Sequence, residues 1–418
     1  MFANLKQIFA PRNKELRKRI LFTLGVLTIF IIGASVKVPG TKSINSNLGF
    51  LELLNAMGGG ALKRSSIFAL GVMPYISASI VIQLLEMDIV PYFADLAKEG
   101  YTGRRKLNKI TRYFGIFIAL IQGFAYSVAI LGTGVEAFEY VRVAVTLTAG
   151  TAFLLWLGDQ ATQKGVGNGL SLIIMSGIIA TLPYMFSEAF KTFVLNNDNL
   201  FIGIVSFVVY ILIYVLIVVG VVFIQQSERR IPIQYSNKTT SSYEAKQNYI
   251  PFKVNAANVI PVIFASALIT IPQTIARFVT NEGYLKFVNN YLNYNTTVGL
   301  IIYLLLIVFF SYAYTLLQFR PADIASNLQK NGGYIPGVRP GDETRQYIKT
   351  VLIRITTFGT IFLALIAAIP ILFTNYSNIE NANITLGGTG IIIIVGVALE
   401  TYKQIESTLN QKEYKGRF

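Results

Sequence analysis

The chain contains no cysteine and no histidine. The first absence removes disulfides, thiolate nucleophiles and thiolate metal sites; the second removes imidazole acid–base pairs and imidazole ligands. A hydrolase built on Ser with Lys or Asp stays open, but a membrane enzyme needs convergent acid, base or metal ligands, and none is visible; no cofactor is implied. Charge is scarce as well: 14% of residues are charged, against about a quarter in a soluble domain. What is abundant is apolar: 53% of the 418 residues are hydrophobic, and mean hydropathy is +0.54. One water-soluble core cannot hide that much apolar surface, so lipid is the economical solvent. The apolar runs are continuous rather than alternating, which argues for helices and against membrane strands.

Ten apolar windows predict spans at residues 20–38, 67–85, 113–131, 141–157, 168–186, 201–224, 256–275, 298–317, 351–373 and 388–402. Each is close to the roughly 20 residues a helix needs to cross hydrocarbon. With the N-terminus inside, 28 of the 36 basic residues and 14 of the 21 acidic ones fall inside. That leaves +14 inside and +1 outside out of a net charge of +15, which supports two cytoplasmic termini and accounts for the basic balance without nucleic acid. The first span follows Arg17, Lys18 and Arg19 and contains Gly33-Ala34-Ser35; an uncleaved first helix is simpler than a cleaved signal peptide. Ahead of it, Phe2, Leu5, Ile8 and Phe9 share one helical face, as a short interfacial helix or a frayed terminus. Five spans precede residues 187–200 and five follow, so the halves run in opposite orientation, as inverted repeats require.

Residues 50–62 are apolar, too short to cross a membrane, and contain Gly58, Gly59 and Gly60. A re-entrant segment with a glycine hinge and an ordinary external loop both fit. Such a segment needs protein or a water-filled cavity around it. In the second span, Val72, Ile76, Ser79 and Gln83 share a face, and Pro74 loosens the backbone near mid-span; that face lines a pore or meets another helix. Gly165-Val-Gly-Asn-Gly169 lacks the phosphate-loop pattern and reads as a tight turn entering the fifth span.

Several of these stretches resemble the SecY family. The run Gly-Gly-Gly-Ala-Leu-Lys-Arg-Ser-Ser-Ile-Phe-Ala-Leu-Gly-Val-Met-Pro-Tyr-Ile-Ser-Ala-Ser-Ile at 58–80 is similar to its plug and second helix. The resemblance continues at 99–106, 156–171, 254–266, 337–341 and 387–391, in the family's order over nearly the whole chain. It implies an all-α polytopic membrane protein of ten transmembrane helices, a clamshell of two inverted five-helix halves with a re-entrant plug. The halves would be residues 1–200, with the plug at about 50–64, and residues 201–418, with the long cytoplasmic loops 6/7 and 8/9.

The resemblance also implies a function: a protein-conducting channel, with no active site, in the bacterial cytoplasmic membrane. Its pore ring would be Val72 and Ile76 from the second span, Leu170 and Ile174 from the fifth, Ile263 from the seventh and Ile393 from the tenth. Ile178 continues the fifth-span stripe. An aliphatic constriction resists wetting, blocks ions and offers a passing chain no fixed hydrogen bonds. Gln83, Gln122, Ser266 and Thr270 would be polar groups at a lateral gate between the second and seventh spans, through which signal sequences reach the lipid bilayer. Arg229, Arg230, Arg339 and Arg345 would dock the SecA motor or the ribosome, including its RNA. SecE-like and SecG-like small membrane subunits complete the implied partners. Loop 6/7 departs from the family pattern in a Thr- and Ser-rich, weakly charged stretch at 238–247. An accessory channel serving few substrates is an alternative within the same class. A secondary transporter is another, but it would want ionisable groups in mid-span, and Glu86, Asp159, Arg277 and Arg354 sit near span ends.

Overall fold

The computed structural model describes residues 13–41, 55, 57–86, 90–132, 134–196, 199–235, 248–255, 257–276, 281–293, 296–376 and 387–415. The expected amphipathic start at 2–9, the stretch at 238–247, Arg277 and positions 50–54 of the re-entrant segment lie outside the described residues.

Every expected span coincides with a helix. In chain order these are α1 (Lys14–Ser35), α2 (Met73–Leu85), a short α3 (Pro91–Lys98), α4 (Tyr101–Leu131), α5 (Ala137–Lys164) and α6 (Gly169–Phe190), which a π-helical turn Lys191–Leu195 extends. Then come α7 (Leu200–Gln226), α8 (Ile260–Ile275), a short α9 (Glu282–Tyr291), α10 (Thr297–Gln318), a short α11 (Pro321–Lys330), α12 (Asp342–Tyr376) and α13 (Gly387–Lys415). Among the described residues, six helices are long and apolar enough to cross a membrane: α1, α5, α6 with its extension, α7, α10 running on into α11, and α12. α2 and α8 are apolar but shorter, at 13 and 16 residues. The first third of α4 carries Arg104, Arg105, Lys106, Lys109 and Arg112, and only then turns apolar.

The boundaries differ from the hydropathy windows where backbone chemistry intervenes. α2 starts at Met73 rather than 67 because Gly71 sits at φ +56° in the preceding turn and Pro74 occupies the first turn of the helix, where its missing N–H costs nothing. α4 and α12 begin well before their apolar windows, since a charged, solvated stretch continues a helix as readily as an apolar one.

A three-stranded antiparallel sheet lies outside the spans, in the order β2-β1-β3, from β1 (Glu228–Tyr235), β2 (Asn248–Lys253) and β3 (Gly333–Tyr334). Ile231, Ile233 and Phe252 are buried beneath it with Leu328 of α11, Ile335, and Ile348 and Leu352 of α12. The sheet therefore ties the α7–α8 connection to the α10–α12 connection.

One apolar cluster runs through both halves, from Val26 and Phe30 of α1 to Ile391, Ile392 and Ile393 of α13. Lipid is as apolar as these side chains, so close packing rather than water exclusion holds the helices together. Gly158 and Gly169 let α5 and α6 touch: a Cβ on Gly169 would stand 2.0 Å from the Gly158 carbonyl oxygen. The turn between these helices docks on α1, where the Val166 amide donates to Thr23 Oγ1 at 3.0 Å and that hydroxyl donates to the Arg19 carbonyl at 3.0 Å. Thr23→Val keeps the shape and orphans a buried N–H. The expected loss is about 1–3 kcal/mol, read as a lowered unfolding temperature in detergent, with Thr23→Ser close to wild type.

Candidate functional site

Residues 58–72 run as turns between α1, α5 and α6, yet their backbone is well satisfied. Gly60 N–H donates to the Asn55 carbonyl at 2.7 Å, Ser66 N–H to Ala61 at 2.9 Å, and Gly71 N–H to Phe68 at 2.9 Å. Asn55 Oδ1 accepts from Lys63 N–H at 2.9 Å. Val38 N–H donates to Ser65, and Ile67 N–H to Val36, so the segment is pinned to the chain leaving α1. Of the three expected hinge glycines, Gly59 and Gly60 sit at φ +70° and +80°, the left-handed region that costs other residues about 1–2 kcal/mol. Gly58 contributes its carbonyl to Ala61 N–H. Arg64 donates to the Gly59 carbonyl at 3.0 Å and to Ser35 Oγ at 3.1 Å.

The six ring candidates gather in the single cluster that spans both halves. Val72, Ile174 and Ile393 are buried; Ile76, Leu170 and Ile263 are half-buried and packed against it. Met57, Ala61 and Phe68 of the re-entrant segment belong to the same cluster. On α6 the stripe is uneven. Leu170 lies over Gly158 of α5, whereas Ile178 is buried against Gly390 of α13. Ile178 thus reaches across to the other half.

α2 packs on α8 and α4 touches α8, the seam expected of a lateral gate. The four polar candidates are distributed unevenly along it. Ser266 and Thr270 are buried on α8 and donate to the carbonyls of Val262 and Ser266. Ser266 Oγ also lies 3.5 Å from Tyr303 Oη of α10, so it faces its own half. Gln122 is half-buried on α4. Gln83 donates to Ser79 Oγ at 3.2 Å, and its Oε1 is buried without a hydrogen-bond partner among the described residues.

Gln83 opens on a feature that hydropathy could not show, a polar cavity of about 620 Å³ between the two halves. Glu86, Arg104 and Asn108 line one side, and Tyr314, Gln318, Arg320 and Asp323 the other. A smaller cavity of about 240 Å³ shares Tyr314 and Gln318 and adds Gln225, Asn255, Asn258 and Glu400. Burial pushes the Glu86 carboxyl above its ordinary range; Arg320 and Arg104 pull it partly back.

The four arginine candidates share one platform. Arg229 and Arg230 are exposed on β1; Arg230 donates to Glu228 at 2.8 Å and lies 4.8 Å over the Tyr249 ring of β2. Tyr334 of β3 donates to Gln234 of β1 at 2.8 Å, binding the two connections. Gly337 and Gly341, at φ +81° and +104°, bracket Arg339 in a tight turn. Thr344 Oγ1 holds that turn by donating to the Arg339 carbonyl at 2.8 Å. The Arg339 side chain is left 86% exposed, 3.8 Å from Glu343, and Arg345 is exposed in the first turn of α12.

The sequence model of the SecY family matches residues 66–402. The protein translocase subunit SecY of Staphylococcus epidermidis is 44% identical over 429 aligned residues, covering 100% of this chain and 99% of that one. Two solved structures share the fold at low identity. One, whose description says that the plug domain of SecY stabilises the closed state and maintains a membrane seal, has a TM-score of 0.65 at 17% identity, covering 94% of this chain and 92% of that one. The other, an idle yeast Ssh1 complex bound to the yeast 80S ribosome, has a TM-score of 0.66 at 15% identity, covering 93% and 89%.

The environment of Glu86 makes its own prediction. An acid whose folded pKa is raised destabilises the fold while charged, and that penalty disappears as pH falls below its unfolded value of 4.5. Glu86→Gln should therefore unfold no lower than wild type at pH 7. Its advantage should shrink as the pH is lowered through the raised carboxylate range, measured as the difference in unfolding temperature between the two proteins.

Proposed function

This chain belongs to the SecY family of protein-translocating channel subunits and is a multi-pass membrane protein rather than an enzyme, and from that premise we propose how its pore, gate and platform divide the work. The halves are residues 1–200 and 201–418, with both termini on the cytoplasmic side of a bacterial cytoplasmic membrane. Unfolded preproteins pass between them, and apolar segments leave sideways between α2 and α8 by partitioning into lipid. The pore is pinched by Val72, Ile76, Leu170, Ile174, Ile263 and Ile393, with Ile178 extending the stripe on α6. The plug is the re-entrant segment at about 50–64, whose Met57 and Ala61 pack into the same cluster.

The observation that carries this reading is the shared cluster. Aliphatic groups from both halves meet the re-entrant segment in one apolar contact region, in a chain whose charge is concentrated elsewhere. Such a constriction sheds water and so resists ions, while giving a moving polypeptide nothing to bind. The polar cavities beside Gln83 and Gln225 form the entrance, where amide side chains accept or donate as a varied chain requires.

The sheet platform is the docking surface for the energy source. Arg229, Arg230, Arg339 and Arg345 suit phosphates of ribosomal RNA or an acidic surface on a SecA motor. The ribosome-bound Ssh1 complex supports the first partner by analogy. SecE-like and SecG-like subunits would cover apolar helix faces such as that of α7, where Leu212, Leu216, Val219 and Phe223 are exposed.

Two measurements test these assignments. Ile393→Asn and Ile76→Asn should each raise ion leak through the resting channel in proteoliposomes and admit precursors with weakened signals. Unchanged leak and unchanged selectivity would remove these residues from the ring. Arg339→Glu should strongly reduce motor-driven translocation while leaving the resting leak as in wild type; equal translocation would take Arg339 out of the docking surface.

A further inference from the structure

α6 has a glycine at its centre, one turn beyond Ile174 and next to Ile178. Glycine inside a helix costs about 1 kcal/mol relative to alanine, so its presence calls for a local reason. The reason lies in what occupies the space of the missing side chain. A Cβ on Gly177 would stand 2.2 Å from the Met57 carbonyl oxygen and 3.0 Å from the Gly59 amide nitrogen. Both are backbone atoms of the re-entrant segment, so no rotamer change relieves the clash. From the opposite side, a Cβ on Gly59 would lie 3.5 Å from the Gly177 Cα and 3.8 Å from the Phe30 ring. The segment is thus laid directly on the α6 backbone at Gly177, with Phe30 of α1 beside it and Arg64 clipping the Gly59 carbonyl to Ser35.

We propose that Gly177 is the seat of the plug, the residue whose bare backbone lets residues 57–59 lie in the pore and so sets how firmly the resting channel is closed. The inference rests on the plug reading above and adds the residue that receives it. Gly177 is a positioning residue: it acts through the segment it holds and not by touching the translocating chain. A side chain there lifts the segment while favouring the helix itself, so the closed state is weakened without unwinding α6. The same substitution lowers the threshold a signal sequence must meet, because part of the cost of displacing the plug has already been removed.

The absence of native cysteine makes the test direct. Met57→Cys provides the chain's single thiol, at a position 4% exposed, whose side chain plays no part in the clash. Full-length channel assembled with its small membrane subunits is reconstituted in vesicles and challenged with a membrane-impermeant maleimide, while ion leak is followed in parallel. Gly177→Ala and Gly177→Val should raise the labelling rate of the introduced thiol, about tenfold for a shift of about 1.4 kcal/mol in the closed–open balance, and should raise leak in the order Val, then Ala, then Gly. Gly220→Ala on α7, where a Cβ meets only the Phe362 ring at 3.5 Å, should leave both readings at wild type. If Gly177→Val does not accumulate, Gly177→Ala carries the same comparison. Unchanged labelling in a variant that assembles normally overturns the seat. So does a Gly177→Val increment in leak that is undiminished when measured against a parent already lacking residues 57–60, since the substitution would then act on the pore wall. A deletion of residues 57–60 that leaks no more than wild type overturns the plug reading and the seat with it; a leaking deletion beside a silent Gly177→Val overturns the seat alone.

Discussion

An irregular stretch of backbone can lie among membrane helices only if its polar groups are satisfied and lipid is kept away from it. Residues 57–72 meet that demand, and much of the surrounding structure serves it. Turn hydrogen bonds, the Asn55 side chain and the short bridge to Val36 and Val38 satisfy the backbone. α1, α5 and α6 wall it off, and they do so at glycines. Gly33 makes room for Phe68, which stacks between Phe30 and Phe153 at centroid distances of 6.3 and 6.0 Å. Gly150 accepts the Ile67 carbonyl at the α5 surface. A segment held this way is ordered without being welded: its contacts are turns, rings and backbone faces, none of which needs a helix to unwind before the segment can leave.

The same economy explains the chemistry of the passage. In the proposed pore the narrow part is aliphatic and drawn from helices of both halves, so it would be held by dispersion and shape rather than by ion pairs. Ion pairs lie away from it, as Arg112 with Asp159 between α4 and α5 and Arg230 with Glu228 on the sheet. Had the seal been built from charged pairs, each opening would expose buried charge, and each passing side chain would meet a partner.

How much of this could be read from residues alone depended on whether the signal was local. The ten spans follow from hydropathy, because a membrane-crossing segment must be apolar over its own length, and a helix lies at each of the ten windows. The helix ends were less legible: Lys109 and Arg112 look like loop on a hydropathy scale yet sit inside α4. The sheet was missed although Ile231 and Ile233 alternate correctly, because Pro232 and Pro251 weaken the strand pattern and β3 lies about a hundred residues from β1. The ring candidates were reached through family resemblance; helical spacing alone does not separate a pore face from a packing face. Leu170 and Ile178 illustrate the difference, since they share a stripe and meet different helices. Gly177 carried no sequence signal: a lone glycine in an apolar helix becomes informative only once the atoms opposite it are known.

That last case bears on how such a channel sets its sensitivity. If Gly177 seats the plug, the resting position is tuned by a hydrogen at Gly177, by two left-handed glycines and by one arginine clip, beside the burial of Met57, Ala61 and Phe68. A deeper, better-packed plug would hold ions as well but would need a stronger signal to move. The glycine in α6, costly to its own helix, is the kind of residue by which that balance can be adjusted in small steps without altering the passage itself.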